Sequence, residues 1–427
     1  MALVTHPGDG LDCEANINAT ANIAGVMPAT VELTNAAQNG ISSTWIIKSD
    51  VNDANKDNAN ALGAVEMGDS VLVLNPGVIV RAKSNSFAGT HQCAFRWKSR
   101  TNVGITFGAG SSIYGRKEDQ AAAFEQSHGA LFLNCTNVNI TGTNEVHLKN
   151  WHGDGCKIGS GDFYSLGTNT NVNISDVTFS DNHRNGLTIN DVDGCNILRC
   201  EGYGNTGANP RAYLVIEPAA SADKLINLVV EGGQCEGISY GVVIALTNLI
   251  TAPSDISITL RNIRSMQTPL TALGPWGFAF ITGANSTVGG TIDCYNLVAE
   301  RLASSGFYFD WRLTSLVQLR MHGCVADRCS LSVANTPYNF VLTGAPSGGG
   351  ITFDDCSCVD TKIRNPIGVS SSGGAATNVI GSVRLKSRSW PVRYSSSLLP
   401  NLKIGRFGRL QFSNSAKSRR SAQRGER

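Results

Sequence analysis

The sequence predicts an all-β chain wound as a right-handed parallel β-helix, a solenoid with an N-terminal cap segment. Three observations predict it: a composition of turn formers, the absence of a long helical stripe, and a short apolar strand that returns many times. The 427 residues include 46 glycines, with 16% charged and 7% aromatic residues, the make-up of short strands and frequent turns. No apolar stripe at three-to-four spacing persists beyond about 12 residues, so helices are expected only as minor caps. A chain this long is either two or three ordinary domains or one elongated repeat, and the repetition decides for the second.

The repeat is a glycine followed by apolar residues at alternate positions: Gly129 to Phe132, Gly155 to Ile158, Gly186 to Ile189, Gly241 to Ile244, Gly277 to Phe280 and Gly306 to Phe309. Tyr213 to Ile216 fills the one gap, and successive spacings run from 26 to 36 residues. A second series lies between, including Asn102 to Ile105, Asn137 to Ile140, Asn171 to Ile174, Asp255 to Ile258 and Gly350 to Phe353. A unit with two such strands cannot bury its own apolar face. Copies stacked about 4.8 Å apart complete each other's backbone hydrogen bonds and build a continuous core. The expected inward column is Phe132, Ile158, Ile189, Ile216, Ile244, Phe280 and Phe309. The spacing does not suit a propeller, and the fixed pattern of leucine-rich repeats is missing. Right-handedness follows from the general chirality of parallel crossovers.

Taken in order, residues 1–75 do not fit the repeat and are expected to cap the open edge of the first coil or to dock elsewhere. Residues 76–393 are assigned to the parallel β-helix. Residues 394–427 form a C-terminal segment in which Lys417, Arg419, Arg420, Arg424 and Arg427 crowd a basic, disordered tail.

The net charge of +2 argues against a nucleic-acid partner for the body of the chain, and no 18-residue apolar stretch provides a membrane span. The opening MALVTHPGDGLDCEAN lacks a basic start and apolar run, so no Sec-type signal peptide is expected. The 12 cysteines lack small-domain disulfide spacing and are expected to be mostly free thiols packed as small hydrophobes. Cys324/Cys329 and Cys356/Cys358 have no histidine partners at zinc-site spacing, so neither a metal nor another cofactor is expected.

Side chains pointing inward in a β-helix are core, which leaves function to outward positions and turns. Just before the recurrent strand lie Ser127-His128, Trp151-His152-Gly153-Asp154, Asn182-His183-Arg184-Asn185, Arg211, Tyr240 and Trp276; just after it come Asn190, Glu217 and Asp310. Stacking sets these side by side as a polar and aromatic strip suited to sugars, since carboxylates, Arg and Asn bind hydroxyls and an aromatic face meets a pyranose ring. Glycoside hydrolysis needs two carboxylates, and Asp154 and Glu217, two coils apart, match the longer separation of inverting enzymes. A polyuronide lyase or epimerase instead needs a base such as His183 or His152, with Arg184 or Arg211 neutralising the substrate carboxylate. Trp151 and Trp276 as turn packing, the histidines as turn caps, and an Arg116–Asp119 pair are the structural alternatives.

His152-Gly153-Asp154-Gly155, Asn182-His183-Arg184-Asn185-Gly186 and Ile216-Glu217-Pro218 resemble the right-handed β-helix proteins of the pectate-lyase superfamily. That group includes phage tailspike depolymerases and, more distantly, mannuronan epimerases. The resemblance covers residues 100–245 best, and Gly8-Asp9-Gly10-Leu11-Asp12 is similar to an opening segment of tailspike β-helices. It implies a site on the outer face involving Asp154, Arg184 and Glu217, with His183 where relatives often carry Arg and Val215 where many carry Asp. The expected function is that of a tailspike-like protein that binds and cleaves a bacterial surface polysaccharide, in a virion or otherwise outside the cell. Asp154, Glu217 and His183 are the expected catalytic groups. Arg184, Arg211, His152, Trp151, Asn185, Tyr240 and Arg116 are expected to bind substrate. The resemblance further implies a homotrimer, with other tail proteins met through the N-terminal segment. A noncatalytic adsorption protein is the second reading, and a polyuronide lyase or epimerase the third.

Overall fold

The computed structural model describes strands 9–12, 29–33 and 44–47 and residues 65–82, 93–119, 127–159, 167–205, 207–250, 254–267, 276–283, 288–310, 316–329, 339–343, 349–360, 367–370, 379–387 and 401–406. Among these residues there is no α-helix, only a short 3-10 turn at Lys117–Asp119. Each coil runs through three strands, called here front, side and back; Leu187–Ile189, Val192–Leu198 and Glu201–Tyr203 make one complete turn. Front strands stack into an 11-stranded sheet from Val65–Met67 to Ile367–Ser370, every neighbour parallel.

The apolar column follows from the stacking register. Phe132, Ile158, Ile189, Ile216, Ile244, Phe280 and Phe309 pair in that order along the front sheet. All are at most 1% exposed. Phe278 stacks on Phe307 at 5.1 Å and Phe280 on Phe309 at 5.5 Å, so like residues meet face to face one coil apart. The recurrent glycine reflects close packing at the corner between back and front strands. A Cβ on Gly155 would stand 2.8 Å from the Gly186 carbonyl oxygen and 2.9 Å from the Asn182 amide nitrogen. Tyr213 departs from the glycine pattern because the back strand makes room: a Cβ on Gly202 would fall 2.6 Å from that of Tyr213. The 11 cysteines among the described residues are buried free thiols, most of them in the same core.

Side strands carry asparagine for a conformational reason. Asn102, Asn137, Asn171 and Asn227 all have φ between 51° and 56°, a left-handed state that Asn tolerates better than most residues. The amides of Asn102, Asn137 and Asn171 form an outer ladder, Asn137 donating to Asn102 at 2.8 Å and Asn171 to Asn137 at 2.7 Å.

Stacking extends beyond the limits expected for the helix. Ala29–Leu33 pairs in parallel with Ser70–Leu74, and Thr44–Ile47 with Ile79–Ala82, so coils begin before residue 76. At the other end Leu402–Arg406 pairs with Val379–Ser387, beyond residue 393. These strands lack the glycine-led signature, although the same backbone pairing holds them. The basic residues at 417–427 lie outside the described residues.

Candidate active site on the outer face

On three successive coils the corner residue at the start of the front strand belongs to a ladder of side-chain acceptors. His128 Nδ1 accepts the Asp154 N–H at 3.0 Å, Asp154 Oδ1 accepts the Asn185 N–H at 3.2 Å, and Asn185 Oδ1 accepts the Ala212 N–H at 3.2 Å. Because Nδ1 of His128 is an acceptor, it carries no proton, and its 3.6 Å approach to Asp154 Oδ2 is not an ion pair. The ladder ends at Ala212, whose side chain offers no acceptor.

Asp154 is fully buried, and its Oδ2 makes no hydrogen bond. Arg184 Nη1 lies 3.9 Å from that oxygen, while Nη2 of the same guanidinium lies 3.6 Å from Glu217 Oε2. The span of one guanidinium therefore holds the two carboxylate oxygens within about 10 Å of each other. Arg184 thus reaches across the outer surface of the front sheet. Of the two acids, only Glu217 presents its side chain to solvent, at 33% exposure against 0% for Asp154.

Three turns stack beside this pair. Lys117 N–H donates to the Asn150 carbonyl at 2.9 Å, His183 N–H to the Trp151 carbonyl at 2.7 Å, and Arg184 N–H to the Gly153 carbonyl at 3.3 Å. His152 and His183 meet edge to face at 5.6 Å. Burial, then the neighbouring His183, holds the His152 pKa below its ordinary value. Burial likewise lowers that of Lys117, whose ammonium donates to the Asp181 carbonyl. Arg116 and Arg211 occupy left-handed turns at φ 55° and 56° and remain half-buried.

Farther along, the same outer face changes character. Ala212, Val215, Val243, Ala245 and Ala279 form an apolar floor against which Tyr240, Trp276, Ile281 and Tyr308 pack. Burial raises the Tyr240 hydroxyl pKa, and the nearby Arg211 cation opposes it.

The expected site residues divide accordingly. Arg184, Glu217, Asp154, His183 and His152 come together; Arg116 sits on the first stacked turn, and Arg211 and Tyr240 at the border of the apolar floor. Two expected substrate contacts are corrected. Trp151 is 1% exposed and donates Nε1–H to the Ile113 carbonyl at 3.3 Å, enclosed where Gly115 and Gly129 leave room for its indole. Asn185 is fully buried, with its amide committed to Ala212 and to Thr188 Oγ1 at 3.2 Å. Lys157 and Tyr308 were not anticipated. Both occupy the middle outward column, Lys157 pairing with Thr188 and Tyr308 with Ala279, and the alternate parity of their strands was the available signal.

No family model and no curated protein matches the sequence. Among solved structures, the chain is similar to the A-module of Azotobacter vinelandii mannuronan C-5 epimerase AlgE6, with TM-score 0.59 and 11% identity over 94% of this chain and 97% of that one. The A-module of AlgE4 from the same organism gives TM-score 0.51 and 11% identity, covering 93% of this chain and 97% of that one. The receptor-binding domain of the siphovirus 9NA tailspike gives 0.49 and 10%, covering 95% and 76%. The protein has the right-handed parallel β-helix fold of the two epimerase A-modules.

Proposed function

We propose that the outer face of the front sheet binds a bacterial surface polysaccharide, and that the protein acts as a tailspike-like component of a phage particle that cleaves this polymer. The observation carrying the reading is the single Arg184 guanidinium set between Glu217 and Asp154, flanked by His183, on an outward surface. Glu217 is the carboxylate able to touch substrate and serves as acid or base. His183 transfers the proton, and Arg184, Arg211 and Arg116 answer charge on the polymer. Asp154 works from beneath, holding Arg184 and the Asn185 N–H. A β-helix of this form carries polysaccharide chemistry in mannuronan C-5 epimerase, which supports the substrate class. A homotrimer, docking through the N-terminal segment and a place in the virion belong to the same proposal.

The test is release of reducing ends, with absorbance near 235 nm, from a panel of capsular polysaccharides and polyuronides, comparing wild type with Glu217→Gln. Reducing ends without absorbance identify hydrolysis, and absorbance identifies lyase chemistry; either should fall at least about 100-fold in the variant. A second reading, a noncatalytic adsorption protein, is favoured by the burial of Asp154, which leaves one accessible carboxylate in place of two. Glycan binding without product across the panel selects that reading and ends the catalytic assignment.

A further inference from the structure

We infer that Cys324 and Cys356 are an oxidation site, a thiol pair that a peroxide converts to a disulfide joining two successive coils inside the core. The inference concerns the body of the helix and does not depend on the polysaccharide reading.

The pair arises from one position of the repeat. Val325 pairs with Ser357, and the Ser357 N–H donates to the Cys324 carbonyl at 2.9 Å, so Cys324 and Cys356 stand opposite each other on neighbouring coils. Their inward column continues as Leu297 on the coil before and Val383 on the coil after. Branched aliphatic side chains fill the position on the flanking coils, so packing alone does not call for sulfur there. Among the described residues no other two cysteines share one position on successive coils.

The two thiols also share one orientation. Cys324 Sγ lies 3.8 Å from the Cys294 carbonyl oxygen and 3.6 Å from that of His322. Cys356 Sγ lies 3.4 Å from the Met321 carbonyl oxygen and 3.6 Å from that of Asp354. Cys294 pairs with Met321, and His322 with Asp354, so one geometry is repeated by a translation of one coil. Paired strands about 4.8 Å apart fall inside the range of roughly 4.4–6.8 Å that a disulfide spans between Cα atoms. Joining the sulfurs therefore takes side-chain rotation, with the backbone register kept.

The contact between the thiols makes them unequal. A hydrogen bond from Cys324 holds the Cys356 pKa below its ordinary value even in the core. Burial, then the same bond, raises that of Cys324 well above its ordinary value. Cys356 is thus the attacking sulfur and Cys324 the resolving one. The Cys356 thiolate attacks one oxygen of hydrogen peroxide, the O–O bond breaks, and hydroxide leaves a sulfenic acid behind. That hydroxide takes the Cys324 proton and departs as water. The Cys324 sulfur then attacks the Cys356 sulfur, the S–O bond breaks, and the second hydroxide recovers the proton that Cys356 gave up. Two thiols are oxidised to one disulfide, and one peroxide is reduced to two waters. Both side chains are fully buried, which admits an oxidant the size of water and excludes a bulky one from the folded chain.

Mass spectrometry of the full chain under native conditions tests the inference. Brief exposure to hydrogen peroxide should lower the intact mass by about 2 Da, reversibly with dithiothreitol, and a non-reducing peptide map should show Cys324 linked to Cys356. Oxidised glutathione should react at least about 10-fold more slowly than peroxide. Cys324→Ala, checked for an unchanged melting temperature, should leave a Cys356 sulfenic acid that dimedone captures, and Cys356→Ala should abolish the linkage. A linkage through Cys294 overturns the assignment, as does a wild-type map in which the two thiols stay free or oxidise no faster than the other buried cysteines. Equal rates with peroxide and oxidised glutathione also overturn it, because the reaction would then belong to the unfolded chain. Dimedone capture at Cys324 in Cys356→Ala, with none at Cys356 in Cys324→Ala, overturns the order of attack.

Discussion

The outer face of the front sheet is built twice, once with charge and once without. In the coils of Asp154, Arg184 and Glu217, long side chains cross the surface and acceptors of the corner column cap the N–H groups of the next coil. From Val215 to Tyr308 the same columns carry small apolar residues walled by aromatic rings. The backbone is the same in both halves, with parallel pairing continuous across the border at Thr188↔Val215↔Val243. The difference therefore teaches that this fold sets where an outward residue stands and leaves its chemistry free. An identical substitution in the two halves should have very different consequences.

The largest expected effect comes from one substitution made twice in one column. Val243→Asp places a carboxylate on a floor 5% exposed that lacks polar side chains, and should cost about 3–5 kcal/mol. Thr188→Asp puts the same group beside Lys157, with Asn185 Nδ2 ready to donate to it as it does to the threonine hydroxyl. It should cost less by at least about 2 kcal/mol. Urea denaturation of both variants checks this, and equal losses would mean that the halves differ in appearance only.

Within the charged half, Asp154 separates ladder from catalysis. Asp154→Ala leaves the Asn185 N–H unpaired and Arg184 without its inner partner, a loss of about 2–3 kcal/mol. Asp154→Asn keeps a carbonyl acceptor for the ladder and should recover about 1 kcal/mol or more of that loss. An Asn variant as unstable as the Ala variant would show that the charge, not the ladder, holds the corner.

What was legible in the sequence follows the same division. The inward column was readable residue by residue, because Phe132, Ile158, Ile189 and their partners obey a period of two that the core enforces. The outer strip was readable as a place, and five of its polar residues do meet. Its exposure was not readable. Asp154 and Asn185 stand where a turn residue ordinarily faces water, yet each is buried as the acceptor for the next coil, a relation between residues 27 to 31 positions apart. Trp151 turned inward because glycines on neighbouring coils, Gly115 and Gly129, opened a space for it. The early strands Ala29–Leu33 and Thr44–Ile47 escaped notice because stacking, rather than a glycine marker, defines them.

Acid should act on the charged half first. His147 lies on the back strand of its coils, buried, with Nδ1 accepting the Thr178 N–H at 3.4 Å, and burial lowers its pKa to about 4. His152 is shifted in the same direction. A histidine held below its unfolded value of about 6.5 favours folding only while neutral. The unfolded chain binds the proton first as pH falls, so stability declines between about 6.5 and 4 and levels off below that. The loss from His147 should be roughly 3 kcal/mol. Hydrogen exchange followed by peptide should show the coils of residues 140–185 opening over this range while those of 240–310 hold. His147→Gln should flatten the decline, and uniform opening of both halves would refute a local origin.

The smallest expected effect lies away from both halves and serves as their control. Asn137 sits at φ 56° on the side sheet and passes hydrogen bonds along an exposed amide ladder, to Asn102 and from Asn171. Two contributions are superposed there, tolerance of a left-handed backbone and the amide bonds themselves. Asn137→Ala removes both and should cost about 1–2 kcal/mol, since a methyl-bearing residue pays roughly 1 kcal/mol to hold that conformation. Asn137→Gly removes only the amide bonds, which water replaces at an exposed site, and should cost about 0.5 kcal/mol or less. Comparable losses in the two variants would assign the stability to the ladder, and asparagine would then recur on this face for its amide rather than its backbone.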